Sequence, residues 1–237
     1  MSPEEIHYQR ESNKIGLETF TLNLQDNNYG NSVKELVNSM QTELDEKVFE
    51  YIVFQESKGN DMSHMYYLDT EYLEDRLMAL SEMNVVYTFR NFEVHLKKLI
   101  TAAYSVSPKE FHRWDKITSF LRSKSIKFDE FEGYIEVIQL QKINNSIKHS
   151  FNLVNDKTQK IPEFTDTPFG SLHDKLNEFI ERIKDKPYKF LEKLSNEIYK
   201  DLYEFDSARI DHIAELFALR MDKNTANEFA RCLKSKY

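Results

Sequence analysis

Gln139 to Phe151 reads QLQKINNSIKHSF. Leu140, Ile143, Ile147, Phe151 and Val154 recur at three- and four-residue intervals, which predicts a helix with one apolar stripe. Asn145 and His149 are four residues apart and therefore stack on one face. Each follows a stripe residue by two positions, a rotation of roughly 200° away from the stripe. The segment is expected to bury one side and to display an amide and an imidazole on the other, with Asn144 and Lys148 as a second pair beside them.

The flanking sequence predicts more helices. Ser32, with Glu35 three residues on, reads as a capping box opening a helix that carries Val33, Leu36, Val37, Met40 and Leu44 and ends at Gly59 to Asp61. A second helix is expected from about Thr70 to Val106, apolar over so wide an arc that it belongs at the centre of a bundle. Phe111, Trp114, Ile117, Phe120 and Leu121 predict a third, and the opening stretch lies in a fourth that starts near Asp129. Ser171 caps a further helix, Pro187 breaks or kinks it, and an amphipathic helix or pair spans Ile210 to Leu233. Before Ser32 the chain is least regular. The alternation of Phe20, Leu22 and Leu24 suggests a short strand or extended segment there.

The expected fold is therefore all-α, an antiparallel helical bundle with a short extended N-terminal arm. The expected organisation is an arm over residues 1–31, a bundle over 32–154, a loop over 155–170, and C-terminal helices over 171–237 that pack on the bundle. The loop is Pro-, Thr- and Asp-rich and long enough to be functional or mobile.

Composition agrees with long helices and narrows the function. Among 237 residues there are only 5 Gly and 5 Pro, while 17 Phe and 13 Tyr can fill a sizeable core. A formal net charge of −8 argues against broad non-specific nucleic-acid binding, although a local basic patch remains compatible with it. Cys232 is the single cysteine, which excludes an internal disulfide and a cysteine-built zinc site. No apolar run approaches the ~20 residues of a membrane span, and the acidic, polar N-terminus is unlike a signal peptide. A cytoplasmic protein with no membrane association and no cofactor is the expectation.

Two segments could carry chemistry. RNFEVH, at Arg90 to His95, offers Arg90, Asn91 and His95 within the longest predicted helix. NNSIKH, at Asn144 to His149, offers Asn145, Lys148 and His149. Two long helices, then FHRWDKITSFLRSKSI, then a helix ending in NxxKHS, resemble HEPN-type domains over roughly Tyr72 to Asn152. Active members of that family are helical-bundle, metal-independent ribonucleases with an Arg, usually a polar residue after it, and a His four to six residues beyond the Arg. Arg90, Asn91 and His95 match that motif in register. Asn145 and His149 match it in the context expected of the family, with Asn144 standing where the Arg would be. The two segments could also face each other in one composite site.

The resemblance implies an RNA substrate, cut without metal to leave a 2′,3′-cyclic phosphate. His95 or His149 would serve as general base or acid on a ribose 2′-OH. Arg90 or Lys148 would stabilise charge on the phosphoryl transition state. Asn91 or Asn145 would orient the His or the phosphate. It also implies a homodimer and a toxin, with an antitoxin or other protein partner, in antiviral (phage) defence. The alternative is a catalytically inactive helical protein that binds a partner or dimerises. Asp211, His212 and Glu215 have a spacing seen in metal sites, yet no second His-rich element supports one, and they read as solvated charge.

Overall fold

The structure, a computed structural model, describes residues 1–20, 28–57, 63–150, 153–165 and 172–237. The chain is all-α, a helical bundle with no strand among the described residues. Its α-helices are α1 (Pro3–Glu18), α2 (Asn28–Ser57), α3 (Ser63–Tyr104), α4 (Trp114–Ser123), α5 (Tyr134–His149), α6 (Leu172–Ile183), α7 (Lys186–Tyr203), α8 (Ser207–Ala218) and α9 (Lys223–Lys234). Short 3₁₀ turns lie at Pro108–Phe111, Phe128–Glu130 and Pro162–Phe164. The described residues contain no helix long and apolar enough to cross a membrane.

Contacts divide the chain into two compact units. One comprises Met1–Asn23, Lys97–Phe128 and Leu191–Tyr237, and the other Leu24–Leu96 and Asp129–Phe190. Both are discontinuous in sequence, and their boundaries fall within α3 and α7, not in the 155–170 stretch.

In the unit built on Leu24–Leu96 and Asp129–Phe190, Val33, Val37, Met40 and Leu44 of α2 pack with Leu73 and Leu77 of α3. Residues at 33, 37, 40 and 44 form one helical stripe. The α2 helix begins at Asn28, so Ser32 lies inside it and does not cap it as expected. A glycine such as Gly30 costs a helix only about 1 kcal/mol, less than the burial of one Val or Leu of the stripe gains. Farther along α3, Val85, Phe89, Phe92 and Leu96 are buried, in keeping with a central helix. Phe190 lies among Phe92, Phe131 and Tyr134, with ring centroids 5.9, 6.0 and 6.3 Å away. Pro187 sits in the first turn of α7, where a missing N–H costs nothing, and the expected break falls just before it, between Ile183 and Lys186.

In the other unit the extended arm gives way to a helix. Ser2 and Glu5 close a capping box, with Ser2 N–H to Glu5 Oε2 at 2.7 Å and Glu5 N–H to Ser2 Oγ at 3.2 Å, and Pro3 occupies the first helical turn. The end of α1 is tied to α7, since Ser195 Oγ donates to the Leu17 carbonyl at 3.1 Å. Phe20 lies in a turn, and the rest of the alternating segment, residues 21–24, falls outside the described residues. Tyr104 and Phe111 meet Phe120 edge-on at 5.3 and 5.2 Å.

The 155–165 part of the expected loop is packed. Ile161, Phe164 and Thr158 are buried. Thr158 Oγ1 donates to the Leu153 carbonyl at 2.6 Å and accepts from Asn155 N–H at 2.9 Å. Ser146 Oγ, at the end of α5, donates to the same carbonyl at 3.1 Å and accepts from the Asn155 amide. Arg182 of α6 grips Glu163 and also reaches Gln139 Oε1 at 2.9 Å. Side-chain hydrogen bonds thus supply the order that periodicity does not announce.

Candidate functional site

The six residues singled out by sequence all lie in the unit built on Leu24–Leu96 and Asp129–Phe190, three on α3 and three on α5. On α3, Arg90 is exposed while Asn91 and His95 are half-buried. His95 Nδ1 lies 2.8 Å from the Asn91 carbonyl, one turn back. A carbonyl only accepts, so Nδ1 carries the proton and base chemistry would fall to Nε2. The Asn91 side chain lies close to the Tyr188 hydroxyl of α7 and acts to lower the pKa of that phenol. Burial nevertheless pushes the Tyr188 phenol above its ordinary range, keeping it neutral.

On α5, Asn145, Lys148 and His149 are exposed, as their angular offset from the stripe requires. Asn144 is buried and not on the exposed side where the sequence reading pairs it with Lys148, because it lies four residues after Leu140 and three before Ile147, at the edge of the apolar stripe. Its Nδ2 donates weakly to Asn145 Oδ1 at 3.4 Å, and its Oδ1 has no protein partner. The position that the HEPN resemblance gives to Arg therefore points into the interior, where a guanidinium would be costly to desolvate.

A groove of about 320 Å³ lies elsewhere, in the other unit. Its lining includes Lys124, Glu197, Asp201, Asp206 and Arg209, and none of the six candidates. Arg209 closes the end of α7 by donating to the carbonyls of Lys200 and Glu204, each at 2.8 Å, and of Asp201. Tyr104 donates to Asp201 Oδ2 at 2.7 Å. Burial, then the bond to Asp201 and its charge, push that phenol well above its ordinary value, so it remains a donor. These groups already partner one another, which makes the groove a helix-end clamp.

The feature that sequence reading missed is at the end of the described chain. Neither α8 nor α9 contains a buried residue. Ile210, Leu216, Phe217, Phe229 and Leu233 are between 39% and 53% exposed. The two helices meet through Phe217 and Phe229, whose ring centroids are 5.1 Å apart. Both are capped locally, α8 by Asp206 to the Arg209 N–H at 2.7 Å, and α9 by Asp222 to Asn224 and Thr225 N–H at 2.8 and 3.0 Å. Their amphipathic pattern was legible and predicted helices that pack on the bundle. The large apolar side chains of α8 and α9 are about half-exposed, and Ile213 is partly covered. Asp211, His212 and Glu215 are exposed, and no group of three or more metal-binding side chains occurs among the described residues.

No family model, no curated protein and no solved structure matches the chain.

Proposed function

We propose that this chain is a helical binding protein whose α8–α9 pair docks on another apolar helical surface. The observation that carries this reading is a half-exposed apolar stripe on two well-capped helices, neither of which contains a buried residue. Capping forms the stripe before any partner arrives, which lowers the ordering cost of docking. Such exposed patches mark interaction sites on water-soluble surfaces. Cys232 is exposed on α9, beside Leu233, and supplies an intrinsic probe. In an extract of expressing cells, maleimide should label Cys232 of the wild-type chain several-fold more slowly than Cys232 of a Phe229→Glu/Leu233→Glu variant. Equal rates would mean that nothing covers the pair.

A second reading is a HEPN-like, metal-independent endoribonuclease or toxin. It draws support from the exposed Asn145 and His149 on one face of α5 and from the tautomer that Asn91 imposes on His95. Buried Asn144 weighs against the α5 placement, leaving Arg90, Asn91 and His95 as its stronger form. Under this reading His95→Ala lowers RNA cleavage in EDTA by at least about 100-fold and relieves any growth arrest. His149→Ala does the same only if α5 participates. Wild type and both variants behaving alike would remove the nuclease.

A further inference from the structure

We propose that the surface covering α8 and α9 is a second copy of this chain, the two helix pairs packing about a two-fold axis. This rests on the docking reading above and names its partner.

Charge is the first argument. From Asp206 to Tyr237 the chain carries six basic side chains, Arg209, Arg220, Lys223, Arg231, Lys234 and Lys236, and five acidic ones. That segment is therefore +1, and the remainder of a chain of net −8 is −9. A surface shaped for a strongly acidic or basic partner would carry one sign. In a two-fold interface a patch meets itself, so a single sign would repel. The signs divide between the helices, α8 carrying one basic and two acidic side chains and α9 three basic and one acidic, so a two-fold contact that lays each α8 against the α9 of the other copy sets opposite signs together.

The second argument is shape. Both helices are 12 residues long and are joined by Leu219 to Asp222, a connection of αα-hairpin length. Each offers apolar positions at helical spacing, Ile210, Ile213 and Phe217 on one and Ala226, Phe229 and Leu233 on the other. Phe217 and Phe229 touch, yet two helices cannot enclose a core by themselves. A second identical pair supplies stripes of equal length and completes a four-helix arrangement. Arg209 also fixes the start of α8 against the last carbonyls of α7, so the pair is presented at a set angle.

The test is sedimentation equilibrium on the full chain, with far-UV circular dichroism to verify helix content. Wild type is expected at twice the 28.3 kDa chain mass. Phe229→Glu/Leu233→Glu should weaken the dimer at least about 100-fold with helix content retained. Ile210→Glu, on α8, probes the same surface should the α9 variant lose helix, and is expected to act in the same direction. A wild-type chain that stays monomeric at about 100 µM, or a dimer that neither substitution weakens, overturns the proposal. If Cys232 is shielded in extract while the pure chain is monomeric, the partner is a different protein and only the second copy falls. Unshielded Cys232 together with a monomer removes the docking reading as well.

Discussion

Replacing Phe190 with alanine is expected to lower the free energy of unfolding by about 3–5 kcal/mol. The ring is almost wholly buried and touches three others, from α3, from the 131 turn and from α5. Truncation removes the transfer energy of the ring and leaves a cavity whose lining consists of stiff aromatic side chains that close it poorly. Edge and tilted ring contacts add about 0.5–1.5 kcal/mol each beyond area. Denaturant titration followed by circular dichroism reads the effect as a lower midpoint at unchanged slope. A loss under about 1 kcal/mol would show that these rings are not a packed cluster.

Gly133→Ala is expected to cost about 3 kcal/mol or more, from left-handed strain plus steric displacement. Gly133 precedes α5 with φ +88°, a conformation that costs a side chain about 1–2 kcal/mol. An added Cβ would lie 2.2 Å from the Lys186 carbonyl oxygen and 3.3 Å from Phe190 Cβ. The first of these is backbone at the start of α7, so no rotamer change relieves it, and the helix end must shift. Gly16→Ala provides the contrast. Gly16 sits inside α1, where an added Cβ would meet nothing within 4 Å, and there alanine should stabilise by up to about 1 kcal/mol. The same denaturation experiment checks both, and effects of the same sign would contradict the assigned backbone.

These two sites and the open helix pair bear on different properties. The Phe190 cluster and Gly133 hold together the unit that presents Asn91, His95, Asn145 and His149. The α8–α9 stripe belongs to the other unit, and its polar substitutions should leave that cluster intact. A Phe229→Glu/Leu233→Glu chain whose unfolding midpoint matches that of wild type diluted to monomer would separate association from folding.

Much of the helical architecture was legible because helix periodicity is a local property. Leu140 and Ile143, or Val33, Val37 and Met40, declare a buried stripe within a few turns whatever packs on it. The exposed positions of Asn145 and His149 follow from the same arithmetic. The N-terminal helix was readable too, for Ser2-Pro3-Glu4-Glu5 holds a capping box, although the helix is only weakly amphipathic.

Tertiary structure decided the rest. Order in residues 155–165 comes from Ser146, Asn155 and Thr158 gathering around one carbonyl, contacts whose partners lie up to nine residues apart and obey no period. The pattern of α8 and α9 foretells an apolar face without saying what lies against it. By itself, then, the sequence determined the helices and the stripe each carries, because both depend on near neighbours in the chain. Whether a stripe is covered depends on what occupies the space beside it, and that is a property of the folded molecule alone.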